Sequence, residues 1–119
     1  MFRTKIFMVL LFVIFGLVAA CLDRKPKNVV IADSKAYEAS LFRQQCAVCH
    51  GAEGEGKKLD DGTLVPSLRE GQFKVRTEVE IHSQIANGGN GMTPFRGLLT
   101  ERELRLMTEF VRRDLREGK

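Results

Sequence analysis

The sequence predicts a small all-α domain, three to four helices joined by glycine-rich loops. Two observations carry this directly. Thr77-Glu78-Val79-Glu80 and Thr100-Glu101-Arg102-Glu103 each set a threonine three residues before a glutamate, the reciprocal capping pattern that starts a helix. Behind them, apolar residues share one helical face: Ile81 and Ile85 after the first, Leu104, Met107, Phe110 and Val111 after the second. The third observation is negative: no segment alternates apolar and polar residues convincingly as a half-buried strand would, and there is no internal repeat or low-complexity tract. At 119 residues the chain is long enough for one such domain.

The N-terminus is expected to leave the mature protein. Arg3 and Lys5 precede an almost wholly apolar run, Ile6–Ala20, interrupted only by Gly16. About fifteen residues are short for a membrane-spanning helix and right for the core of a signal peptide. Small residues Ala19 and Ala20 then precede Cys21, as signal cleavage requires. Residues 1–20 are therefore read as a signal peptide. Val18-Ala19-Ala20-Cys21 also resembles a bacterial lipobox, which implies lipidation of Cys21 as the first residue of the mature chain. An uncleaved anchor helix, or ordinary cleavage at the same place, is the alternative. Buried acyl chains contribute about 0.8 kcal/mol per CH₂, and two or more hold a protein stably at a membrane. On these readings the protein is exported and bacterial, tethered to a membrane and facing the periplasm or the cell exterior.

Residues 21–33, polar, basic and containing Pro26, read as a linker, and residues 34–119 as the domain. A first helix is expected from Asp33 or Ser34, either of which can cap it, to about Gln45, with Tyr37 and Leu41 as an apolar pair broadened by Phe42. Residues 51–74 read as loop, broken by Gly51, Gly54, Gly56, Gly62, Pro66 and Gly71. The second helix starts at the Thr77 signal, buries Ile81 and Ile85 on one face, and stops at Asn87-Gly88-Gly89. The last starts at the Thr100 signal, where Leu99 and Leu104 can close a hydrophobic staple. Leu104, Met107, Phe110 and Val111 make its apolar stripe.

At the end of the first helix stands Cys46-Ala47-Val48-Cys49-His50. Cys-x-x-Cys-His is the attachment signature of c-type haem. Positions three apart share a helical face, so both sulfurs point at one haem edge and the histidine can reach the iron. The chain holds three cysteines, assigned to lipid (Cys21) and to haem (Cys46, Cys49), which leaves none for a disulfide. A covalently held haem supplies the extra apolar mass that a small exported domain needs.

With these motifs in this order the chain resembles a class I cytochrome c over roughly residues 34–116. The resemblance implies a small cytochrome c fold wrapped around one covalently attached haem. It implies His50 as proximal ligand and Met92, in Asn90-Gly91-Met92-Thr93-Pro94-Phe95, as distal ligand; iron in cytochromes c is held by His and Met, and the Met raises the potential. In the family the methionine is often followed directly by proline, whereas here Thr93 intervenes. The resemblance also implies that the Pro66 carbonyl, in Val65-Pro66-Ser67-Leu68, accepts a hydrogen bond from the His50 ring, which fixes the ring and enriches the ligand. A simple turn proline is the plainer reading. Phe42 and Phe110 match the family's aromatics where the first and last helices cross. The small residue expected at that crossing is Glu38, with Ala39 beside it, so the contact is shifted by one residue or widened. Met107 reads as core packing, and His82 as a solvated helix histidine rather than a sixth ligand.

The function implied is single-electron transfer by a membrane-tethered carrier, an electron-transfer protein rather than an enzyme. Its redox partners would be a quinol-oxidising complex, a terminal oxidase or an exported reductase. A haem-based peroxidase or gas sensor with a labile sixth ligand is the second reading. A thiol pair at Cys46 and Cys49, or zinc bound with histidines, is the third, weakened by the lack of a second Cys-x-x-Cys. Of the formal charge of +4, Arg3 and Lys5 contribute two, and the remainder is too mild and scattered to point to nucleic acid. Lys57, Lys58, Lys74, Arg76 and Arg96 fall in segments expected to border the haem. They read either as a docking ring for an acidic partner, since complementary charge accelerates encounter, or as ordinary solvated surface.

Overall fold

The computed structural model describes residues 29–117, together with residues 6 and 8. Cys21, nearly all of the expected signal peptide and most of the expected linker lie outside the described residues. Among those described, no helix is long and apolar enough to cross a membrane.

The domain is mostly helical. Helix α1 (Tyr37–Gln45) is followed directly by the short α2 (Ala47–His50); strands β1 (Lys57–Lys58) and β2 (Leu64–Val65) come next, then α3 (Glu78–Asn87) and α4 (Glu101–Glu109), which continues in π-helical geometry over Phe110–Arg116. Helix α3 packs along α4, and α1 packs on α4 as well. The core is one cluster that takes Ala39, Leu41 and Phe42 from α1, Ile81, Ile85 and Ala86 from α3, and Leu104, Met107, Phe110, Val111 and Leu115 from the last helix.

Both capping signals form as expected. Thr77 Oγ1 accepts from Glu80 N at 3.2 Å while the Glu80 carboxylate accepts from Thr77 N at 2.9 Å. Thr100 and Glu103 repeat the exchange at 3.3 and 2.8 Å. Leu99 and Leu104 are both buried, which is the staple. Met107 is core, at 1% exposure. Beyond it, Phe110 and Leu115 are both buried although five residues apart. Five residues is the span of a π-helical hydrogen bond, and Val111 in the same segment is buried as well.

The first helix begins later than expected. Its N-cap is Ala36, which has no side-chain oxygen and makes no capping bond; Ser34 Oγ instead accepts from Ala36 N at 3.3 Å in the turn before. Tyr37 does not pair with Leu41 in the core. It is 59% exposed and its hydroxyl donates to Glu103 Oε1 at 2.5 Å. The small residue buried on α1 is Ala39, fully buried, one position on from Glu38. The Phe42 and Phe110 rings meet with centroids 5.9 Å apart at 60°.

Two further departures concern segments read as irregular. The loop after α2 holds a short antiparallel ladder in which Lys57 pairs with Val65 and Lys58 with Leu64, too short to show a period in the sequence. Residues 29–34, inside and beside the stretch expected as linker, are packed on the domain. Ile31 is fully buried. The Glu53 carboxylate accepts from Ile31 N at 2.7 Å and Ala32 N at 2.8 Å, and Arg69, itself paired with Glu53 at 3.3 Å, donates to Val29 O at 2.7 Å. Arg43 donates to the carbonyls of Ile31 and Ser34.

Candidate functional site

The pentapeptide is not the end of α1 but a turn of its own. Cys46 closes α1, with its N–H on Phe42 O at 2.8 Å, and opens α2 from φ −115° and ψ −36°. Its carbonyl then accepts from Cys49 N at 3.1 Å and His50 N at 2.9 Å. The bend places Cys46, Cys49 and His50 within one helical turn. Gly51 ends that turn at φ 87°, a conformation that favours glycine.

The residues after Gly51 fold back on the histidine. Gly56 N donates to His50 O at 2.7 Å, and Leu68 N to Gly54 O at 2.8 Å. The β1–β2 ladder brings Val65 beside Lys57. Gly56 lies so close to the Pro66 segment that a Cβ there would stand 2.6 Å from Val65 O and 2.7 Å from Ser67 N. These contacts deliver the Pro66 carbonyl to the His50 imidazole. Burial lowers the affinity of His50 for a proton below its ordinary value, and the Pro66 carbonyl opposes that in smaller measure. The approach stops short of hydrogen-bonding geometry: Nδ1 of His50 is buried and unbonded. The net effect favours neutral imidazole near neutral pH, the state that can bind a metal.

The two thiols are free and differ in setting. Cys46 is half-buried, and burial, with the Cys49 sulfur adding to it, pushes its thiol up to about 12. Cys49 is exposed. Val48 between them is 68% exposed.

Met92 lies on a separate loop after α3. Gly89 and Met92 exchange backbone hydrogen bonds at 3.0 Å each way, closed by Asn90 and Gly91 at φ 52° and 86°. Two positive φ values make this the tight Asn-Gly turn of a hairpin. Phe95 N on Ile85 O and Arg96 N on Ala86 O tie the rest of the loop to α3. The Gln84 amide reaches both Gly89 O, at 3.1 Å, and Met92 Sδ, at 3.8 Å, a contact that no local pattern announces.

Cys46, Ala47, Leu68, Val75, Met92 and Phe95 are half-buried apolar residues packed against the core cluster. Two free thiols and an imidazole with a buried unbonded nitrogen, set beside this half-covered apolar rim, fit the attachment of a covalently held haem. His82 is half-buried rather than fully solvated, with Nε2 3.2 Å from Glu101 Oε1. Lys57, Lys58, Lys74, Arg76 and Arg96 are all exposed; Arg96 Nε donates to Asn87 Oδ1 and Arg76 Nε to Phe73 O.

Comparison with known proteins places these features in a family. No solved structure matches the chain. A thiosulfate dehydrogenase of Psychrobacter arcticus is 64% identical over 25 residues, a stretch covering 21% of this chain and 8% of that protein. The family described as cytochrome C oxidase, cbb3-type, subunit III matches residues 36–111, from the residue before α1 into the π-helical segment. That span takes in more than half of the chain, so the protein belongs to this family and is a c-type cytochrome, an electron carrier with covalently attached haem c.

Proposed function

We propose that the protein is a class I, mono-haem cytochrome c that carries single electrons from a membrane tether. Cys46 and Cys49 would hold the haem through thioether bonds, His50 and Met92 would bind its iron, and the Pro66 carbonyl would orient the His50 ring. The bound iron supplies one-electron chemistry, Fe(III) to Fe(II) and back. The chain's own residues do the rest. The α2 turn fixes the spacing of sulfurs and imidazole, and burial keeps His50 neutral. The Asn90-Gly91 turn presents a soft thioether, which favours Fe(II) and raises the potential. The core rim keeps water from one side of the site.

The observation that supports this reading best is that Cys46, Cys49 and His50 lie within one helical turn while Met92, in a pinned turn, borders the same core as Cys46. Two strong ligands would leave no coordination position open, which favours transfer over catalysis. The test is a visible spectrum and redox titration of the exported protein and of Met92→Ala. The variant is expected to keep its covalent haem, change its sixth ligand and show a lower midpoint potential. An unchanged potential refutes Met92 as ligand, and rapid carbon monoxide binding by the reduced wild type would favour a peroxidase or gas sensor.

In this reading residues 1–20 are a signal peptide, Cys21 carries the lipid, and the domain faces the periplasm or the cell exterior. The description of the family favours a terminal oxidase as electron acceptor, over an exported reductase or a quinol-oxidising complex.

A further inference from the structure

Gln84 is the one side chain with a polar atom on the Met92 sulfur among the described hydrogen bonds. Its position is set from several sides. Its backbone carbonyl accepts from Gly88 N at 2.9 Å, ending α3. Its side-chain Nε2 donates to Gly89 O at 3.1 Å. A carbonyl oxygen can only accept, so this contact fixes which end of the amide is nitrogen. The same nitrogen carries a second hydrogen, and Met92 Sδ lies 3.8 Å away. The turn around the methionine leaves little freedom: a Cβ on Gly88 would collide with Met92 O, and Gly89 and Met92 are bonded to each other in both directions.

We propose that Gln84 tunes the potential of the site by donating a hydrogen bond to the Met92 sulfur while pinning the methionine turn. This rests on Met92 being the sixth ligand, as proposed above. A thioether sulfur has two lone pairs. With one committed to the Gln84 N–H, the other is left to face the iron, which selects one side of the sulfur. The N–H also draws density from the sulfur, which weakens its donation to Fe(III) more than to Fe(II) and so raises the potential. Gln84 is a positioning residue, acting through Met92.

The test is a cycle of haem-loaded proteins: wild type, Gln84→Leu, Met92→Ala and the double variant, each titrated for midpoint potential. Gln84→Leu removes the donor and adds no group that can bind iron. It is expected to shift the Fe(III)/Fe(II) equilibrium about fivefold toward Fe(III), or roughly 40 mV at 59 mV per decade, and to displace the sulfur-to-iron charge-transfer absorption. In the Met92→Ala background the same change should move nothing. Gln84→Glu, which adds negative charge and loses the donor, should lower the potential further. If Met92→Ala leaves the potential unchanged, the ligand assignment fails and the role of Gln84 with it. If Met92→Ala shifts the potential and Gln84→Leu does not, the Gln84 proposal alone is overturned. An equal Gln84→Leu shift with and without the methionine overturns it too, because the amide would then not act through the sulfur.

Discussion

Replacing Phe42 by alanine should cost about 4 kcal/mol of stability, near the middle of the range for deleting a buried phenylalanine. Phe42 has no exposed surface, and its ring is held between α1, the last helix and the loop after α2. It meets Phe110 at 5.9 Å and 60°, an inclined geometry worth roughly 0.5–1.5 kcal/mol beyond burial. Its Cζ lies 3.4 Å from where a side chain on Gly54 would begin. Three separate segments line the site, so collapse into the vacated space is limited. The assay is urea unfolding of the haem-loaded protein, followed by helical circular dichroism, for Phe42→Ala, Phe110→Ala and the pair. The midpoint should fall with little change in slope, and the two variants should couple by about 1 kcal/mol. A loss for Phe42→Ala under about 2 kcal/mol, or strictly additive variants, would refute the claim that this pair joins the first and last helices.

Three further outcomes are expected. The Glu103 carboxyl is held down to about 2 by the Thr100 hydroxyl, the Tyr37 hydroxyl and the Thr100 backbone, against an ordinary value of 4.5; its folded-state preference for the ionised form stabilises above pH 4.5 and is lost as pH falls toward 2. Glu103→Gln should therefore flatten the acid limb of the stability curve over that window, and superimposable acid titrations of the two proteins would contradict this. Gly56→Ala should lower stability by more than about 1 kcal/mol, since Gly56 sits at φ 82° against the backbone of Val65 and Ser67; an unchanged melting temperature would show that the fold-back onto His50 is looser than described. Cys21→Ser should release the protein from membranes with its haem spectrum intact, as read by fractionation, and membrane retention would count against the lipid anchor.

What the sequence made legible was local. Each Thr-x-x-Glu pair closes on itself within four residues, so it can be read before any tertiary contact is known. The pentapeptide and the glycine turns are legible for the same reason. The start of α1 was not, because the Ser34 hydroxyl bonds in the turn before the helix instead of capping it, and the N-cap, Ala36, has no side-chain oxygen. Tyr37 looked like a core residue because its ring is apolar, but its hydroxyl found Glu103, 66 residues away. The binding of residues 29–34 depends on Arg43 nearby and on Glu53 and Arg69, 22 and 40 residues from the backbone atoms they hold. No periodicity announces such contacts. The Gln84–Met92 contact is of shorter range, yet it depends on which way a loop turns back over its helix.

The clasp that Glu53 and Arg69 form on residues 29–32 also sets how far the domain can roam. If Cys21 is lipidated as proposed, eight residue steps separate the bilayer surface from the first clasped residue, Val29, a reach of at most about 28 Å for a fully stretched chain. Such a cytochrome would patrol a layer about as thick as one small domain. It would meet partners that rise from the same lipid sheet and leave those across the compartment to other carriers.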